Sequence, residues 1–139
     1  MAAEKLLGEY DYYRAQAEAL RQNLELINNS LVSLEVVSEG LTEIKALGKE
    51  NEILVPIGAT AFVKARILDT EEVIISLGAD VAARKPIPVA REDIDRRMKE
   101  LEKVRAEQGE RLSLVLKRLD ELTPHVQRLM AQSQAQGRG

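Results

Sequence analysis

Cysteine and tryptophan are absent from this chain, and it holds one phenylalanine and one histidine. Without cysteine there is no disulfide, no thiolate metal site and no cysteine nucleophile, and a reducing compartment fits. The lone histidine, His125, excludes a histidine metal cluster. Aromatic residues make up 3% of the sequence, too few for the bulky core of a compact globule. No apolar run approaches the roughly 20 residues that a membrane-spanning helix needs. The opening MAAEKLLGEYDYY lacks the apolar stretch of a signal peptide. The expected placement is cytoplasmic, with no membrane contact. Neither GxxxxGK[ST] nor GxGxxG occurs, so no phosphate-cradling loop is expected. A net charge of -3 leaves little for binding a polyanion. The basic run Arg96-Arg97-Met98-Lys99 is flanked by Asp93, Asp95, Glu100 and Glu102, which is mixed helix-surface charge rather than a nucleic-acid patch. The inventory predicts no enzyme, no cofactor and no metal site.

What is present is aliphatic and charged. Hydrophobic residues reach 45% and charged residues 31%, a profile that leans toward long helices or a coiled coil. Alternating steps of three and four from Tyr10 meet Tyr13, Ala17, Leu20, Leu24, Ile27, Leu31, Leu34, Ser38 and Leu41. This is a heptad seam, and its period implies a left-handed supercoil. It fades before Gly48, a helix C-cap candidate. A second seam runs through Ile94, Met98, Leu101, Arg105, Gln108, Leu112, Val115, Leu119, Leu122, Val126 and Leu129. Arg105 and Gln108 are its polar members; their stems are expected to pack while their heads reach water. Pro124 lies within this seam, where it either loosens the last turns or is tolerated near a solvated end.

The segment between the seams alternates and is rich in β-branched residues. Ile53–Ile57, Ala61–Leu68, Val73–Leu77 and Val81–Lys85 read as four strands, with turns at Gly58-Ala59-Thr60 and Gly78-Ala79-Asp80. The predicted architecture is mainly α with a small β part: a long antiparallel two-helix coiled coil joined by two β-hairpins. One module is expected over 1–139, with helix over 1–48, hairpins over 51–90, helix over 91–132 and a frayed tail over 133–139. The seams fit one antiparallel register that places Tyr13 opposite Val126, Ala17 opposite Leu122, Leu20 opposite Leu119 and Leu41 opposite Met98. Four short strands with open edges make a poor independent sheet. They should pair with other chains, through Ile53, Val55, Ile57, Val63, Ile67, Val73, Ile75, Leu77 and Val81.

The order helix, two hairpins, helix, together with ENEILVPIGATAFVKARILDTEEVIISLGADVAARK over Glu50–Lys85, resembles the α class of the prefoldin family. Two hairpins in this place favour the α class over the β class, which has one. Val81-Ala82-Ala83 departs from the resemblance, since aromatic residues are frequent there in the family. The resemblance, with an archaeal flavour, implies a hetero-hexamer of two α and four β subunits on a β-barrel platform. It implies contact of the chain with itself through an α–α strand contact. It also implies ATP-independent holding of unfolded client proteins and their delivery to a group II chaperonin. Client contact is expected at the chain ends, where Leu6, Leu7, Tyr10, Tyr12 and Tyr13 meet Val126, Leu129 and Met130. Tyrosine and methionine suit promiscuous contact. Tyr10, Tyr13, Val126 and Leu129 are also seam residues, so closing the coil is an equally open role for them. The rival reading is a structural or adaptor coiled coil that oligomerises through its strands and uses the helices as a spacer.

Overall fold

The computed structural model describes residues 2–137, with side chains described through Ala135. The elements follow the order α1 (Ala2–Leu47), β1 (Glu52–Pro56), β2 (Phe62–Arg66), β3 (Glu72–Gly78), β4 (Val81–Pro86) and α2 (Ile87–Gly137). β1 pairs antiparallel with β2, and β3 with β4, as two separate two-stranded sheets. The expected mainly helical fold with two hairpins is what the chain adopts, and each strand lies within two residues of its expected bounds.

The helix ends show local chemistry at work. Gly48 closes α1 at φ 79°, a left-handed backbone that only glycine adopts without a steric penalty. The Gly48 N–H donates to the Ile44 carbonyl at 3.3 Å, and the Asn51 side-chain amide donates to the Leu47 carbonyl. At the other junction, α2 starts at Ile87, four residues before the expected start. Pro88 therefore sits in the first helical turn, where its missing N–H leaves no bond unmade. The Ile87 N–H donates to the Glu71 carbonyl at 2.8 Å, so β4 passes into α2 without a loop. α2 runs as one element across Pro124, where the Thr123 hydroxyl donates to the Leu119 carbonyl at 2.7 Å. It also continues through Ser133–Gly137, where a frayed tail was expected: Ala and Gln are good helix formers. Residues 1, 138 and 139 lie outside the described residues.

The chain divides into two compact units, Leu31–Glu100 and the pair Met1–Ser30 with Leu101–Gly139. In the first of these, Leu41, Ile87, Ala90 and Ile94 are buried, and Leu34, Ile44, Val73, Ile75 and Met98 pack against them. The second unit buries Ala17, Leu20 and Val115, with Tyr13, Leu112, Leu116 and Leu119 around them.

These clusters correct the expected register. Leu122 and Val126, expected opposite Ala17 and Tyr13, are buried but stand outside the cluster that Ala17 and Tyr13 join. Tyr13, Ala17 and Leu20 gather instead around Leu112, Val115 and Leu119, a shift of one heptad. The Arg105 guanidinium agrees, donating to the Asn28 side chain at 3.3 Å although its expected opposite was Leu34. Heptad seams repeat every seven residues, so registers one heptad apart look alike in sequence. Docking of Ile87 and Ala90 beside Leu41 helps to select between them. Arg105 stays exposed at its head, as expected, but the buried Oε1 of Gln108 has no partner among the described residues. Such an unmet acceptor costs about 1–3 kcal/mol.

Candidate interaction surfaces

The two helix ends expected to carry apolar contact residues divide into two groups. Val126 is buried, and Leu6, Tyr10, Tyr13 and Leu129 are half-buried, so these help to close the coil. Leu7, Tyr12 and Met130 are 38%, 59% and 60% exposed. Tyr12 is held rather than loose. Its ring meets Tyr13 edge to face at 5.5 Å between centroids, and its hydroxyl accepts from the Gln16 amide at 2.9 Å. Arg14 lies 5.9 Å from the centre of the Tyr10 ring. Arg118 bridges the helices, donating to Glu9 at 2.9 Å and to Glu121 at 3.2 Å. Its hydrogen bond to Glu9, then that to Glu121, holds this guanidinium even more firmly protonated than usual. Beside it lies a cleft of about 700 Å³ that includes Tyr10, Ala17, Leu116 and Leu119.

The strands carry the larger apolar surface. Of the residues expected to pair with other chains, Val55, Ile57, Val63, Leu77 and Val81 are exposed, and Ile53 and Ile67 are half-buried. Val73 and Ile75 are different, because they are half-buried and pack on the chain's own helices. Alternation along β3 explains this: once Val73 and Ile75 face inward, Ile74 must face out. Ile74 is indeed 71% exposed. Leu54, Phe62 and Leu68 are also exposed, at 65%, 59% and 79%. Sequence reasoning passed over these four as contact residues. For Phe62 and Leu68 the signal was the mixed face they share with Lys64 and Arg66, too apolar for a purely solvated one.

Two further contacts brace the hairpins. Lys85 on β4 pairs with Asp93 on α2 at 2.5 Å, and Arg96 approaches the same carboxylate at 3.5 Å. The hydrogen bond from Lys85 holds the Asp93 carboxyl below its ordinary pKa. Asp69 Oδ1 accepts from the Glu71 N–H at 2.7 Å and the Glu72 N–H at 3.4 Å, which starts β3 and lowers the Asp69 pKa. The β3–β4 turn uses positive φ at Gly78, Ala79 and Asp80, with a bulge between Ser76 and Gly78. Among the described residues no group of His, Cys, Asp and Glu is placed to hold a metal, and no helix is long and apolar enough to cross a membrane.

Two long helices packed antiparallel, joined by hairpins with much of their apolar surface uncovered, define a class of coiled-coil subunit built for assembly. The chain belongs to the prefoldin family of chaperone subunits: the family model described as Prefoldin subunit matches residues 13–132. It is 39% identical over 126 residues to prefoldin subunit alpha of Pyrococcus horikoshii, covering 89% of this chain and 84% of that one. It is 38% identical over 109 residues to prefoldin subunit alpha of Methanopyrus kandleri, covering 78% of this chain and 69% of the other. The fold is shared with filamentous PFD from Methanocaldococcus jannaschii, solved by cryo-EM. The TM-score is 0.72 at 23% identity, over 85% of this chain and 98% of that one.

Proposed function

We propose that this chain is an ATP-independent holding subunit that contacts unfolded proteins through Leu7, Tyr12 and Met130. The observation that carries this reading is their exposure beside buried Val126. Among the candidate residues at the helix ends, the closed coil leaves these three large side chains outside, where a spacer would have no use for them. Covering one such side chain is worth about 1.5–3 kcal/mol at most. One tip therefore holds weakly, and several tips on one assembly hold by avidity. Weak repeated contact suits a holder that must let go.

The whole chain acts as one module in this reading, with the hairpins as its assembly part. Two copies join four prefoldin β subunits, pairing strands into a barrel platform, and each copy also meets the other through strands. Clients pass to a group II chaperonin in the cytoplasm. The chain itself catalyses nothing. The exposed apolar strand residues Leu54, Ile57, Phe62 and Leu68 support the assembly part, because a free monomer would leave them wet.

The test is a hexamer carrying Leu7→Ser, Tyr12→Ser and Met130→Ser together. Native mass spectrometry should show intact assembly, while suppression of client aggregation falls. Full suppression by an intact variant hexamer favours the adaptor reading instead.

A further inference from the structure

α1 carries an apolar row that its own chain leaves uncovered. Val32 and Val36 stand one helical turn apart and so share a face, and they are 60% and 62% exposed. Neither joins a buried cluster. Valine forms helix less well than alanine, glutamate or lysine, so helix formation does not favour it at these exposed positions. The next turn of the same row is Gly40. A Cβ built there would meet nothing within 4 Å, so no close contact inside the chain requires a glycine. Glycine inside a helix is destabilising relative to alanine. The fold of this chain therefore accounts for neither the two valines nor the gap beside them.

A row of carboxylates runs beside it. Glu35, Glu39 and Glu43 are exposed and follow one another at four-residue steps. Each lies three residues past Val32, Val36 or Gly40, so the two rows are neighbours on the helix surface. Among the described residues none of these carboxylates forms an ion pair. Like charges at this spacing repel and weaken the helix. From Gln22 to Ile44, α1 holds four carboxylates, Glu25 included, and no lysine or arginine. The occupant that fits is aliphatic and cationic: apolar side chains cover the valines, one enters the space over Gly40, and positive charge meets the glutamates. A second copy of the same face would oppose like carboxylates, and a nucleic acid or anionic membrane would be repelled.

We propose that this face of α1 is a second client-contact surface, which takes aliphatic segments of unfolded proteins that carry lysine or arginine. It rests on the holding reading above for the source of the segment, and adds to it a preference for positive charge. The probe is a labelled peptide repeating leucine and lysine, followed by fluorescence anisotropy on the assembled complex. Leu7→Ser, Tyr12→Ser and Met130→Ser are present throughout, which removes this chain's tip contacts. Binding is expected at least about tenfold tighter than for the peptide with glutamate in place of lysine, and it should weaken as salt rises. Val32→Ser with Val36→Ser should reduce it about tenfold. Glu35→Gln, Glu39→Gln and Glu43→Gln together should reduce it by a similar factor and flatten the salt dependence. These positions are exposed, so circular dichroism should show an unchanged helix. Gly40→Ala separates binding from folding: it should raise the melting temperature of the chain yet weaken the peptide. Unchanged peptide binding in any of the three variants overturns the surface as drawn, as does equal binding of the glutamate peptide. The holding reading fails separately, if a complex changed at both the tips and this face suppresses client aggregation as well as the parent.

Discussion

The two hairpins share one antiparallel build and differ in what stands behind them. β3 and β4 are anchored: Val73 and Ile75 pack beside Ile87 and Ala90, and Lys85 grips Asp93. No side chain of β1 or β2 joins either described cluster, and Leu54, Ile57, Phe62 and Leu68 are exposed. The lesson is a division of labour within one motif. The anchored hairpin depends on its own chain for one face, and the other hairpin waits on a partner for its apolar cover.

Substitutions should break this asymmetry in order of burial. Ile87→Ala has the largest expected effect, a loss of about 2–5 kcal/mol from a fully buried site at the root of the anchored hairpin. Thermal unfolding followed by circular dichroism measures it. Val73→Ala should cost less, about 1 kcal/mol, because Val73 is only half-buried. Leu54→Ala on the unanchored hairpin should move the stability of the isolated chain by no more than about 0.5 kcal/mol. The same change should still weaken assembly with partner subunits, read as lost complex in native mass spectrometry. Equal stability losses at Val73 and Leu54 would erase the distinction between the hairpins.

The smallest effect sharpens the comparison by pH. Asp93 has a folded-state pKa below its unfolded value. Its ionised form therefore stabilises the fold above the unfolded pKa of about 3.9, and that contribution is lost as pH falls through the folded pKa. Asp93→Asn should lower the melting temperature slightly at pH 6 and above, and the gap to the parent should close in acid. A gap that is constant with pH would show that the Lys85–Asp93 pair does not act through charge.

Several features were legible from residues alone. Gly48 marked the end of α1, the turns at Gly58 and Gly78 fell where hairpin chemistry placed them, and both heptad seams became helix. Other features were not. Val73 and Ile75 read like any apolar strand residues, since alternation tells that two faces exist but not which face is claimed. The early start of α2 was hidden because Pro88 signals both a strand end and a helix start. Among the end residues, heptad phase already set Tyr10 on the seam and Tyr12 off it, whereas Leu6, which is not in the seam read from the sequence, is half-buried.

By itself the sequence determined the order of elements, their approximate bounds and the chemistry that is missing, because periodicity, capping and composition act over a few residues. Tertiary structure alone decided the heptad register and the inward face of β3. Both depend on contacts between residues far apart in the chain. Patterns that repeat every seven or every two residues leave more than one such contact set equally plausible, and packing of Ile87, Ala90 and Leu41 selects among them.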